Sequence, residues 1–330
     1  KRQPLTERQR LSRQSGSKAA EPQSMKRVGR MTIRRDTARR QAVRWVVSMA
    51  AAGWLAAPLA ALAGPLDLYV ERTAMAAADL RCGFFNSELR AALEAGRIQT
   101  RNAALRGGAS ADDLSRADAR ALSSAKTVVC DSEAVAAAAA HVRNAFAGFA
   151  KLRQITYPGE TADWRADRTS SAEVHRWRLA QQTDFAGGQM VFGLAGRDTR
   201  PVLLALASFA DGQAPFGARL VLRDSSRASQ PYLDLRGDLD LSRRMPPAGA
   251  RRSYAAEARS KAGLDLRPET MGAGWAFRFP AEAAERLATL HPREAVAVEF
   301  LFSEGAPVRR VYVEVGDFAV GHAFLRMAAR

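Results

Sequence analysis

At Tyr157-Pro158-Gly159 the spacing of apolar residues changes period, and this change constrains the fold more than any other feature of the 330-residue chain. Before the turn, apolar positions recur every three or four residues, as on a helix face; after it they alternate, as on a strand. Proline presets φ and glycine tolerates turn conformations, so the tripeptide itself reads as a turn. The predicted class is α+β. An N-terminal helical bundle over residues 64 to 155 precedes a β-rich domain over 156 to 330, a mainly antiparallel sandwich or partly open barrel with one or two packing helices.

The helical part carries its own punctuation. Leu68 to Leu80 forms a short amphipathic segment, and Asn86 or Ser87 caps a second that runs to Arg106, where Gly107-Gly108 stops it. Ser110-Ala111-Asp112-Asp113 is a short-armed capping box opening a third helix toward Val128. Asp131 or Ser132 opens a fourth, with Val135, Val142, Phe146, Phe149 and Leu152 as its apolar stripe. Joins this short imply antiparallel neighbours.

Beyond the turn, alternation predicts strands at 174–180, 189–194, 202–209, 219–223, 232–235, 275–279, 295–302 and 310–315. In the last, Val311, Val313 and Val315 share one face while Tyr312 and Glu314 take the other, the pattern of a half-buried antiparallel strand. Pro280 opens a short helix to Leu290, and 318–327 forms a terminal one.

Residues 1 to 30 are polar and aperiodic, which predicts disorder or an upstream extension. From Met31 a basic stretch with Arg34, Arg35, Arg39, Arg40 and Arg44 leads into the apolar run Trp45 to Ala60 and then Ala61-Leu62-Ala63. This is the layout of a signal peptide over 31 to 63, with cleavage expected between Ala63 and Gly64 and a periplasmic or secreted destination. An uncleaved inner-membrane anchor is the alternative, because the run from Trp45 to Ala63 is just long enough to span a bilayer. Two arginine pairs leave both the general and the twin-arginine export routes open.

The net charge of +16 invites a nucleic-acid reading, but its distribution argues against one. Residues 1 to 63 hold 14 basic against three acidic residues, leaving 36 basic against 31 acidic in the remainder. Cys82 and Cys130 both follow the leader, and export would place them where disulfides persist. They are expected to pair. The histidines His141, His175, His291 and His322 are scattered, so no metal or cofactor is expected.

Two patterns bear on catalysis. Ser123-Ser124-Ala125-Lys126 has the Ser-x-x-Lys spacing of penicillin-interacting enzymes without their companion elements, and the same spacing recurs in the leader at Ser15 to Lys18, so a solvated helix face is the better account. Glu160 and Asp163, near Trp164 and beside Asp167, Arg165 and Arg168, are the carboxylates a glycan hydrolase would use as acid and base. The competing account is ion pairing, with Trp164 plugging an interdomain contact.

The run from strand 295–302 through strand 310–315 to Gly316-Asp317-Phe318 and a closing helix with Phe324 and Leu325 resembles the end of the invasion-associated locus B family. The whole chain also resembles exported proteins of high-GC bacteria. The family resemblance implies a small exported β-rich protein without an enzymatic role. The expected function is a non-catalytic periplasmic protein binding a partner protein or envelope component, with no nucleic acid and membrane contact only through an uncleaved leader. Its binding surface is expected at Trp164, Trp275, Phe277 and Phe279. A cell-wall or glycan hydrolase and a membrane-tethered envelope scaffold are the alternatives.

Overall fold

The computed structural model describes residues 64–170, 172–197, 201–233, 240–303 and 305–327. The leader and Ala63 lie outside the described residues, and the predicted strand at 232–235 lies partly outside them. The described chain is α+β, with six helices and two antiparallel sheets of seven and four strands. No described helix is long and apolar enough to cross a membrane.

Four helices come first: α1 (Pro65–Cys82), α2 (Ser87–Arg106), α3 (Ala111–Lys126) and α4 (Glu133–Lys151). Their starts follow from side-chain oxygens that take up free N-terminal amides. Asn86 rather than Ser87 caps α2, accepting the Leu89 N–H at 2.9 Å, and Ser132 rather than Asp131 caps α4. The Ser110–Asp113 box at α3 closes in both directions, at 3.1 and 2.8 Å. Cys82 and Cys130 form a disulfide with Cα atoms 5.5 Å apart, joining the end of α1 to the α3–α4 connection.

The seven-stranded sheet runs β1 (Gln154–Tyr157), β2 (Trp164–Asp167), β3 (Arg176–Phe185), β4 (Gly188–Gly196), β5 (Val202–Phe209), then β9 (Trp275–Arg278) and β8 (Ala258–Lys261). The four-stranded sheet has the order β11 (Arg309–Glu314), β10 (Ala295–Leu301), β6 (Gly217–Arg223), β7 (Arg251–Ala255). Their inner faces meet: Phe300 of β10 packs against Phe277 of β9 and Phe209 of β5, with ring centroids 5.6 and 5.2 Å apart. The short helix α5 (Ala281–Leu287) and the terminal α6 (Phe318–Arg326) join the same core through Leu287, Phe318 and Phe324.

Central strands are buried on both faces because each sheet has an outer cover. Val191 and Leu206 lie under Met271 and Leu266, while Ala295 and Ala297 lie under Met245 and Leu241. This is why β4, β5 and β10 read as nearly continuous apolar runs.

The helices and sheets share one hydrophobic cluster, in which Leu93 of α2 and Val142 and Phe146 of α4 sit with Trp164, Phe318 and Phe324. A smaller cluster of Tyr69, Leu105 and Leu114 joins α1, α2 and α3. Polar anchors reinforce the junction. Arg106 grips the buried Asp317 through both carboxylate oxygens, at 3.0 and 2.9 Å, and Asn102 adds a third bond at 2.9 Å. Arg168 satisfies the last carbonyls of α4, donating to Ala150 and Leu152 while stacking over Phe324.

One face assignment from alternation is corrected. Glu314 does not face water opposite the valines; it is 1% exposed. Its carboxylate accepts the backbone N–H groups of Glu160, Thr161 and Ala162 at 2.9, 2.7 and 3.3 Å, so the β1–β2 connection folds over it. A buried carboxylate is tolerated because these donors replace its water. Gly159 permits the approach, since a Cβ there would stand 2.1 Å from the Ala162 carbonyl oxygen.

Candidate functional site

Where α2 ends, α3 begins and the α5–β10 connection passes between them, the elements leave a cavity of about 480 Å³. Its walls include Arg101 and Leu105 from α2, Asp112 and Leu114 from α3, Arg223 from β6, and His291 and Arg293 from the α5–β10 connection. A second cavity of about 820 Å³ adjoins it, with Tyr69, Arg97, Asp118, Glu285, His322 and Arg326 in its lining. Arg101 and Thr289 line both, so the two cavities share a wall in this arginine-lined cleft.

A buried ion pair holds the floor of the first cavity. Arg223 and Glu294 meet through two bonds of 2.6 and 3.0 Å. Glu294 also accepts the His291 N–H at 2.7 Å, and Arg223 donates to the Ala228 carbonyl at 2.7 Å. Full hydrogen bonding is what makes two buried charges tolerable. Arg293 approaches Glu160 at 3.4 Å, and the second oxygen of Glu160 meets Arg244 at 2.8 Å. Arg101 has no carboxylate partner among the described residues.

Burial and the surrounding Arg101, Arg293, Arg223 and Arg106 push His291 down to about 4, so its imidazole is neutral at neutral pH. Its Nδ1 accepts the Arg293 N–H at 3.1 Å, which leaves Nε2 as the protonated nitrogen. Burial and Arg326 likewise push His322 down to about 4, and its Nδ1 is buried without a hydrogen-bond partner among the described residues. Between about pH 6.5 and pH 4 the unfolded chain binds protons at both histidines that the folded chain rejects. The stability these residues confer is therefore present above about pH 6.5 and is lost as pH falls through that window. Thermal melts are expected to show Tm falling across the window, with a shallower fall in the double variant H291Q/H322Q. An equal fall in the double variant would assign the effect to carboxylates instead.

The structure disperses the residues expected to form a binding face. Trp164, Phe277 and Phe279 are buried in the core and present no surface, a correction with a tertiary cause: Phe300 of the opposite sheet covers Phe277, and Phe318 of α6 covers Trp164. Trp164 packs its edge against Phe318 and donates its indole N–H to the Glu314 carbonyl at 3.2 Å. Trp275 is half-buried, with the Arg259 guanidinium 3.5 Å from its ring centroid.

Glu160 and Asp163 do not line either cavity. Glu160 is engaged by two guanidinium groups, and the exposed Asp163 accepts the Gly159 N–H at 3.3 Å to close the turn. Ser123 and Lys126 lie on the exposed face of α3. Among the described residues no group of three or more His, Cys, Asp and Glu is placed to hold a metal ion.

Local patterns missed the residues that do converge. The available signal was faint: Arg223 ends an apolar strand and Glu294 immediately precedes another, two charges where burial is expected. No protein-family model, curated protein or solved structure matches the chain.

Proposed function

We propose that this chain is an exported, non-catalytic binding protein that holds a partner or envelope component in the arginine-lined cleft. The observation that carries the reading is Arg101, which lines both cavities and has no carboxylate partner among the described residues. A guanidinium in that position attracts a charged ligand, whereas an arginine already locked to a carboxylate has spent its donors internally.

Binding is favoured over catalysis by the state of the titratable groups. A histidine held at about 4 is a weak proton acceptor at neutral pH, and the nearby carboxylates of Glu294 and Glu160 are tied to arginines. Export is supported by the three-part leader and by the disulfide, which suits an oxidising compartment. The two antiparallel sheets and the helices that share their core support the α5–β10 connection, which presents His291 and Arg293 to the cavity.

Native mass spectrometry of the tagged protein recovered from periplasm tests the reading. The expected result is a bound species, protein or small molecule, on the wild type and its absence on Arg101→Ala, with the mature chain starting at Gly64. Recovery in the cytoplasm with residues 1 to 63 intact would sink the export proposal. An identical bound population in the wild type and the variant would sink the cleft as the binding site.

A further inference from the structure

We infer that the cleft recognises a phosphate monoester on a small organic body, seated in the cavity between Arg101, Arg293 and the imidazole of His291. This rests on the cleft being the binding site and names the chemistry of its occupant.

The donors suit a phosphoryl group. Arg101 keeps its guanidinium unpaired by carboxylates among the described residues, and Arg293 shares Glu160 with Arg244, so that one carboxylate faces two cations. The protonated Nε2 of a neutral His291 supplies a further donor without adding a charge that would have to be desolvated. Surplus positive charge is already felt inside the site, since the arginines help keep His291 neutral. A phosphate monoester brings three acceptor oxygens and up to two negative charges, against two oxygens and one charge for a carboxylate.

The rest of the cavity sets the size and polarity of the body. A volume of about 480 Å³ lies within the ordinary range for small-molecule sites. Leu105, Leu114 and Pro231 give it an apolar wall for the carbon skeleton. Among the described residues Asp112 is the one carboxylate in the lining of this cavity, set against Arg101, Arg223 and Arg293.

Calorimetric titration of the full chain with glycerol 3-phosphate, glycerol and glycerate tests the inference. Glycerol 3-phosphate is expected to bind, glycerol to give no signal, and Arg101→Ala to weaken binding tenfold or more. Arg120→Ala, an exposed arginine on α3 outside the cleft, should bind as the wild type does, and thermal melts check that both variants fold. Sedimentation with phosphatidate vesicles separates two sources of the same chemistry. Binding to vesicles that depends on Arg101 identifies a lipid headgroup, and binding of glycerol 3-phosphate alone identifies a soluble ester.

Glycerate binding as tightly as glycerol 3-phosphate would overturn the phosphate assignment while leaving the cleft as an anion site. Failure of the wild type to bind glycerol 3-phosphate, or equal binding by Arg101→Ala, would overturn the inference. An Arg101-dependent species in the mass spectrum would then still uphold the broader reading, so the two failures are distinguishable.

Discussion

Replacing Glu294 with alanine is expected to lower the unfolding free energy by about 3–5 kcal/mol, because it strands the buried guanidinium of Arg223 without its counter-charge. The two side chains are 6% and 2% exposed, so water cannot take over the lost bonds without opening the core. The His291 amide loses its acceptor as well. Urea denaturation of the variant measures the loss. The combination Arg223→Met with Glu294→Leu should recover much of it, since removing both charges removes the stranded one. If the double variant were as unstable as the single one, shape rather than unpaired charge would be the cause. The recovered double variant should also lose Arg101-dependent ligand binding if the ion pair positions His291.

Removal of the disulfide is the second large effect. Its cysteines stand 48 residues apart, and opening a loop of that length costs roughly 4 kcal/mol in the chain-entropy treatment. The loop encloses α2 and α3, including Arg101 and the helix start that lines the cleft. Cys82→Ser with Cys130→Ser is therefore expected to lower both stability and ligand affinity. Comparison of urea midpoints for the oxidised wild type and the double variant, taken with their m-values, reads the first effect. Unfolding energies that agree within about 1 kcal/mol would show that native packing compensates for the larger unfolded ensemble.

These effects lie on features of unequal visibility. The cysteine pair was legible because two cysteines admit only one intramolecular pairing. The helix starts were legible to within one residue, since Asn86, Ser110 and Ser132 act on amides three residues away, although Ser87 and Asp131 were equally open as caps. Strand β5 occupies its expected residues, Val202–Phe209, because its run is apolar and bounded. By contrast β7 and β8 have the sequences Arg-Arg-Ser-Tyr-Ala and Ala-Arg-Ser-Lys, and β8 is exposed throughout. Backbone pairing with β6 and β9 makes these strands, and no hydrophobic period announces them.

The aromatic face shows a different limit. Period two puts Trp275 and Phe277 on one side of β9, with Phe279 in phase just past its end. It does not say whether that side meets solvent or the opposite sheet, and Phe300 settles it by packing against Phe277. The same limit applies to Glu314, whose face is covered by a loop more than 150 residues earlier in the chain.

By itself the sequence determined the α+β class, the change of period at Tyr157-Pro158-Gly159, the helix starts to within one residue and the cysteine pair, because each rests on interactions between near neighbours or on simple counting. Only the tertiary structure decided that the helices share a core with the sheets, that the aromatic face points inward, and that Arg101, Arg223, His291 and Arg293 surround one cleft. Those residues come from α2, β6 and the α5–β10 connection, and long-range packing brings them together where no local period or motif records their proximity.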